Sequence, residues 1–317
     1  MIFYFFMAYS LFCDPIDNFV KQLNIYIEKP EKMVLNYTSL KYQRTGKQLI
    51  KFNNYKNQIL NLRTLLRNFL DYYLFGNHPY KIKDLEKYKK LNIQKVKEGF
   101  LSLKKEGKTL HTGDIIFSAP DIPYSITVKE FAQNEFGHAG IIWIKQDIPY
   151  VIQISPTIDY LELTLAEFLF PDYPKNLGFA IYKYTEKTDV VEMDYLLQQF
   201  EQNQKNIIFD SYALKNPDIK NPETYFKYPV HLYCTELIEL CYKFVYKKTD
   251  LLSSFRLKSK FILNHFIKGN VLLDIFFDEM DKMDEQNKNF IISPRNFIES
   301  KYFKSLIVFN VEKNEIY

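Results

Sequence analysis

Cys234 and His138 are the residues whose types and settings suit covalent chemistry. His138 stands in Gly137-His138-Ala139-Gly140-Ile141-Ile142-Trp143, which reads as a strand with a histidine at its mouth. Cys234 stands in Tyr233-Cys234-Thr235-Glu236-Leu237-Ile238-Glu239-Leu240, which reads as a helix with a cysteine at its start. Brought together, the two would make a thiol nucleophile and its base. A helix start favours the thiolate, because unpaired backbone N–H groups and the positive end of the dipole gather there. Those N–H groups also suit an oxyanion, with the backbone of Cys234 and a contribution from Tyr233 as candidates. An unperturbed imidazole titrates near pH ~6.5 and can accept a thiol proton. The plain alternative is a cysteine packed as an apolar side chain and a histidine held by structural bonds.

A base needs a partner on its far ring nitrogen. Gln153, flanked by Ile152 and Ile154 on the strand that pairs beside the His138 strand, has the right type: its carbonyl oxygen can fix the imidazole tautomer. An exposed polar position on a half-buried strand is the competing reading. Asp114 follows Gly113 at the start of a strand and is expected to make a loop or cap hydrogen bond near the cleft. Glu236 opposes ionisation of the thiol and is expected to cap the helix or hold the preceding loop. Cys241, about two turns beyond Cys234, is expected to pack in the core. His78, His111, His231 and His265 lack a comparable setting and are expected in loops or at the surface.

The elements that must position these residues are legible in outline. Residues 14–106 carry a helical pattern, with Leu49, Phe52, Ile59, Leu62, Leu65, Leu66, Phe69 and Leu70 at three- and four-residue steps. A second helix is predicted over 81–103, ending near Gly107. From Gly113 the texture becomes strand-like. Strands are predicted over 114–117, 141–144, 150–154 and 179–184, the middle two as a hairpin with a polar connection over 145–149. A helix over 188–203 should be capped by Asp189 or Thr188 and turn Val191, Leu196, Leu197 and Phe200 inward. The cysteine helix should run over 234–246, and 291–297 should be a short strand entering a Pro-initiated turn or helix. Residues 305–309 suggest an edge strand. Partly segregated strands and helices make the fold α+β. Residues 1–106 read as a helical N-terminal extension and 107–317 as the domain bearing the chemistry.

Composition narrows the function classes. At 317 residues and 47% hydrophobic content the chain can bury a large core. A net charge of +4, from scattered basic residues, is too weak to point to nucleic acid. Three cysteines, Cys13, Cys234 and Cys241, form neither a disulfide framework nor a zinc spacing, and no metal or other cofactor is expected. Tyr 25 and Phe 28 against Gly 9 is an aromatic-rich composition, uniform along the chain. The apolar residues 1–12 are too few to span a bilayer. They read either as a secretory or lipoprotein segment, with Cys13 as the attachment point, or as an apolar segment that packs or stays disordered. The first reading places the protein in the cell envelope, with membrane association through the N-terminus; the second leaves it cytoplasmic.

With these residues in view, the chain resembles the circularly permuted NlpC-type papain-like hydrolases of the YiiX/YebB-like branch. The resemblance runs in order through Gly113-Asp114-Ile115-Ile116-Phe117, Gly137-His138-Ala139-Gly140-Ile141, Tyr150-Val151-Ile152-Gln153, Phe209-Asp210, Tyr233-Cys234-Thr235-Glu236-Leu237 and Ser293-Pro294. It covers about residues 107–305. The histidine precedes the cysteine, the permuted order. The resemblance implies a papain-like antiparallel sheet packed on the cysteine helix, with Cys234 as nucleophile and His138 as base. It implies a glutamate in the third position, where this chain has Gln153; an amide orients the imidazole but brings no charge to imidazolium. The implied activity is a thiol hydrolase acting on an amide or ester of a cell-wall peptide or lipid-like acyl compound. Acyl transfer through the same pair and a non-catalytic binding module of the same fold are the alternatives.

Overall fold

A computed structural model describes residues 14–28, 82–120, 134–155, 159–171, 176–186, 189–209, 219–247, 252, 255–256, 290–310 and 315–316. The predicted leucine recurrence at 49–70, the segment 1–13, His78, His265 and Asp210 lie outside the described residues. The elements run α1 (Pro15–Glu28), α2 (Ile82–Lys105), β1 (Ile115–Pro120), β2 (His138–Lys145), β3 (Ile148–Ile154), β4 (Tyr160–Thr164), α3 (Leu165–Leu169) and β5 (Asn176–Tyr184). They continue with α4 (Val190–Gln202), β6 (Ile207–Phe209), α5 (Pro222–Tyr225), β7 (Val230–Leu232) and α6 (Cys234–Tyr246). The last are β8 (Phe255–Arg256), β9 (Phe290–Ile291), α7 (Pro294–Ile298), β10 (Phe303–Asn310) and β11 (Glu315–Ile316).

An antiparallel seven-stranded sheet, ordered β11-β10-β5-β1-β2-β3-β4, organises the chain as an α+β fold. Both its faces are covered. On one, Ile115, Phe117, Ala139, Ile141, Trp143 and Ile152 pack with Leu196, Leu197 and Phe200 of α4 and Leu237, Ile238 and Cys241 of α6. On the other, Ile116, Ile142, Val151, Phe179 and Phe309 pack with Ile16 and Phe19 of α1, Ile93 and Phe100 of α2, and Phe168 of α3. Burial on both sides explains why the strands read as continuous apolar runs rather than alternating ones. It also ties the described helices of the N-terminal third to the sheet: Phe19 and Phe100 meet at 4.5 Å between ring centroids, and Phe100 reaches Phe179 of β5 at 6.3 Å. These helices form the second cover of the sheet.

Helix ends follow local chemistry. At the end of α2, Gly107 takes φ 70, and the N–H groups of Lys108 and Gly107 return to the carbonyls of Leu103 and Lys104. That is a Schellman stop, which glycine permits without strain. Asp189 caps α4 through the N–H of Glu192. Its inward face differs from the predicted one by a single residue: Val191 is 80% exposed and Met193 is buried instead. The helix begins at Val190, two residues after the start of the predicted span, with Val191 in its first turn.

The β2–β3 hairpin is tighter than its sequence implies. Only Gln146 and Asp147 form the turn, both left-handed at φ 50 and 62, as a two-residue type I′ turn requires. Pro149 belongs to the strand, opposite Ile144. Its missing N–H faces outward beyond Thr164, the last β4 residue paired with β3 at Tyr150, so no ladder bond is lost. β10 is not an edge; β11 lies outside it.

Gly140 is required by close approach. A Cβ there would meet Val151 Cγ1 at 2.5 Å and the Ile152 carbonyl oxygen at 3.0 Å. Backbone and a β-branched side chain give little. Gly140→Ala should therefore destabilise the protein by about 1–3 kcal/mol in urea unfolding, the usual range for overpacking. A midpoint unchanged from wild type would show that β3 moves aside freely.

Candidate active site

β7 delivers the chain to the nucleophile. Val230 and Leu232 are buried, β7 pairs in parallel with β6, and Tyr233 in extended conformation is the N-cap of α6. Cys234 is the first helical residue and is half-buried. The helix is anchored along its length by Leu237, Ile238, Tyr242 and Val245, and Tyr242 donates to the Gly113 carbonyl at 2.5 Å. Cys241 is fully buried, and its thiol is pushed far up by burial.

The pairing of β2 decides where the sulfur lies. β2 pairs with β1 from His138, opposite Ser118, to Ile141. With β3 it pairs only from Ile141, opposite Ile152, outward to Lys145. β3 instead continues beside β4, with Gln153 opposite Leu161 and Ile154 opposite Tyr160. The mouth of the sheet is thus a fork between β2 and β3. The Ala139 N–H, released from the β2–β3 ladder, faces the Cys234 sulfur closely enough to favour its thiolate, as do the N–H groups of Thr235 and Cys234 itself and the Thr235 hydroxyl. The sulfur therefore sits one peptide away from the His138 backbone.

Across the same fork, His138 Nε2 and Gln153 Oε1 lie 2.5 Å apart. A carbonyl oxygen only accepts, so Nε2 carries the proton and Nδ1 keeps the lone pair. Gln153 is 6% exposed, so it is a buried imidazole partner and not a surface polar residue. Along β2, His138 shares its face with Gly140 and Ile142, opposite to Ala139 and Ile141. Its ring accordingly lies over Phe168 of α3, at 6.0 Å and 28° between planes. The Cys234 helix packs on the other face. The link between the two is the Ala139 backbone, one residue along the chain from His138, whose N–H faces the Cys234 sulfur.

The electrostatics revise one expectation. Burial pushes the Cys234 thiol up to about 11, against the opposing pull of the Ala139, Thr235 and Cys234 N–H groups. The helix start therefore does not leave a resting thiolate; desolvation outweighs the dipole and amides. Burial also lowers the His138 pKa, with the Gln153 bond acting against it. Both groups are neutral at pH 7.

Other sequence candidates fall at varied distances from this centre. Tyr233 flanks the sulfur, and its phenol oxygen accepts from the Ile292 N–H at 3.0 Å. Glu236 is buried in the first turn of α6. Asp114 accepts from the His111 N–H at 2.8 Å, the predicted loop bond. It does not lie near the fork: it precedes β1, four residues from Ser118, which is about 13 Å at the rise of a strand. Burial raises Asp114 to about 7. His111 pairs with Lys183 at 2.8 Å and is exposed, as expected of a surface histidine; His231 lies in β7. Sequence reasoning missed Phe168 and Thr235. Phe168 reads only as one more aromatic in an aromatic-rich chain. Thr235, the residue after the cysteine, was visible as a buried-helix threonine in need of a partner.

No family model matches the chain, and no curated protein matches it. Solved structures do. One is the crystal structure of the metalloprotein YiiX from Escherichia coli O157:H7. The two chains are 14% identical, the match covers 62% of this chain and 95% of that one, and the TM-score is 0.39. Among the described residues, no group of three or more His, Cys, Asp or Glu side chains is placed to hold a metal ion, and no helix is long and apolar enough to cross a membrane.

Proposed function

We propose that the protein is a papain-like thiol hydrolase of the permuted NlpC type, cleaving an amide or ester bond through Cys234 and His138. The observation that carries this reading is the buried Gln153 bond to His138 Nε2, made at the fork where the Ala139 N–H faces the Cys234 sulfur. A buried structural histidine would also need an acceptor for its N–H; what favours catalysis is that this one stands next to the residue whose N–H faces a helix-start sulfur.

The neutral pair sets the sequence of events. As the sulfur attacks the carbonyl carbon, its proton passes to His138 Nδ1, and the carbonyl oxygen gains the negative charge. First-turn N–H groups of α6 stabilise that oxyanion. Imidazolium then protonates the leaving amine or alkoxide, leaving a thioester on Cys234 and neutral His138. Water, giving its proton to His138, attacks the thioester and releases the acid and the thiol. Gln153 holds the ring through both half-reactions. Replacing water by an alcohol or amine gives acyl transfer by the same pair; product analysis with added acceptors separates the two.

The pH profile tests the reading. An ion pair at rest would lose activity as pH rises through the imidazolium pKa. A neutral pair loses activity only as pH falls, when His138 protonates. Since burial lowers His138 from its usual value of 6.5, p-nitrophenyl butyrate hydrolysis should stay level at pH 7–8 and decline only below pH ~6.5. A decline on the alkaline side of neutrality would contradict it. Wild-type protein with no esterase or amidase turnover would favour the binding module.

Gln153→Glu supplies a second check. A carboxylate in the same place would keep the ring oriented and stabilise imidazolium, raising the His138 pKa. Activity should be kept or raised, and the acid limb should move to higher pH. Complete loss of activity in a folded variant would remove Gln153 from the reading.

A further inference from the structure

The two residues that flank the nucleophile grip one and the same residue far along the chain. Tyr233 Oη accepts from the Ile292 N–H at 3.0 Å, and Thr235 Oγ1 donates to the Ile292 carbonyl oxygen. Both backbone groups of Ile292, which is 4% exposed, are thus taken by side chains on either side of Cys234. Thr235 is 2% exposed, so its hydroxyl has been removed from water and depends on this bond.

Ile292 is itself a fixed post. It follows β9, and next to it the N–H and hydroxyl of Ser293 donate to Asn296 Oδ1 at 2.8 and 2.9 Å. Phe297 of α7 is fully buried, with ring centroids 5.8 Å from Phe117 of β1 and 5.4 Å from Phe303 of β10. The post is therefore bolted to the strand that neighbours the His138 strand. The N-cap of α6, by contrast, makes no side-chain capping bond. The start of the helix is set by what Tyr233 and Thr235 hold, since local capping does not set it.

We propose that Tyr233 and Thr235 form a two-point clamp on the Ile292 backbone that positions Cys234 at the fork. The clamp rests on the thiol-hydrolase reading for its purpose. Both act on Cys234 as positioning residues, Tyr233 through the first turn of α6 and Thr235 through that turn and through its hydroxyl beside the sulfur. A slip of the helix start would take the sulfur from the Ala139 N–H and from the reach of His138, while the packing face of α6 stayed in the core. Sub-ångström placement of this kind affects the chemical step more than binding.

The test uses the full chain with p-nitrophenyl butyrate as probe. Tyr233→Phe removes one bond at nearly constant volume and is the deciding variant; Thr235→Val removes the Ile292 bond together with the hydroxyl beside the sulfur, and Thr235→Ser keeps the hydroxyl. Cys234 is titrated with iodoacetamide by mass spectrometry on protein first isolated as a folded peak by gel filtration, so that a loss of folded protein is not mistaken for a loss of rate. The kcat per titrated site should fall about tenfold in Tyr233→Phe and Thr235→Val, with KM within about twofold of wild type, and Thr235→Ser should restore it. The clamp is overturned if kcat per site is unchanged, or if Thr235→Ser is as damaging as Thr235→Val. Should Tyr233→Phe not fold, the Thr235 pair decides alone. If wild type itself shows no turnover, the hydrolase reading fails, and the clamp is judged by alkylation. The rate at Cys234 at pH 8 should then rise about three- to tenfold in the clamp variants, because burial is the larger effect on this thiol and a displaced sulfur regains water. An unchanged or slower rate rejects the clamp.

Discussion

Cys234→Ala abolishes ester turnover, with kcat for p-nitrophenyl butyrate falling on the order of 10⁴-fold or more, as expected for loss of a nucleophile that works in a unit with its base. The fold should survive. Cys234 is half-buried at the end of α6, and the face that holds the helix in place, from Leu237 through Val245, is untouched. The loss of one sulfur should change the unfolding midpoint little. Cys241→Ala makes the matching control. It empties a fully buried site two turns deeper, so it should lower stability while leaving the rate per folded molecule unchanged. Retained turnover in Cys234→Ala would reject the mechanism.

His138→Ala removes the base, and the expected loss is about 10²- to 10⁴-fold in kcat/KM. The neutral resting pair makes this loss larger than it would be for a preformed thiolate. With the thiol pushed up to about 11, hardly any of it is ionised at pH 7 without a base to take the proton. Two further signs distinguish a lost base from a damaged fold. The residual rate should rise with pH throughout the range 6–10, because only spontaneous ionisation then supplies the nucleophile. The variant should also be destabilised by about 1–3 kcal/mol, because Gln153 Oε1 is left buried without its donor. A pH profile identical to that of wild type would show that His138 plays no part.

The elements that carry the candidate residues were more legible in the sequence than the strand ends were. Cys234 at a helix start, His138 at a strand mouth and Gln153 on the adjoining strand were readable because each needs only local pattern plus one strand pairing. What sequence could not give was the balance of forces on the thiol. The dipole and amide effects follow from position in a helix, but desolvation depends on what the rest of the chain packs around the sulfur. Asp114 misled for a related reason. Its place beside a strand start was right, but which end of that strand forms the mouth is settled only by the register of β1 against β2.

In the fold, helices were read closely and strand ends poorly. The cysteine helix spans the predicted residues, because its apolar face recurs at helical spacing without interruption. The hairpin turn was placed too widely because Pro149 resembles a strand breaker until the extent of β4 is known. β4, at Tyr160–Thr164, and β7, at Val230–Leu232, went unread. Each is too short to carry a period, and each is held by partners distant in sequence. The clamp on Ile292 belongs to the same class: it joins residues 57 and 59 positions apart, and no local rule relates them.

The most direct measurement is to trap the acyl group. Full-length protein mixed with p-nitrophenyl butyrate and quenched in acid within the first turnovers is digested and its peptides are weighed. The account predicts one butyryl thioester, on the peptide carrying Cys234, absent in Cys234→Ala and formed far more slowly in His138→Ala. Nitrophenol release with no acyl-protein at any quench time, or an adduct that persists in Cys234→Ala, would contradict it.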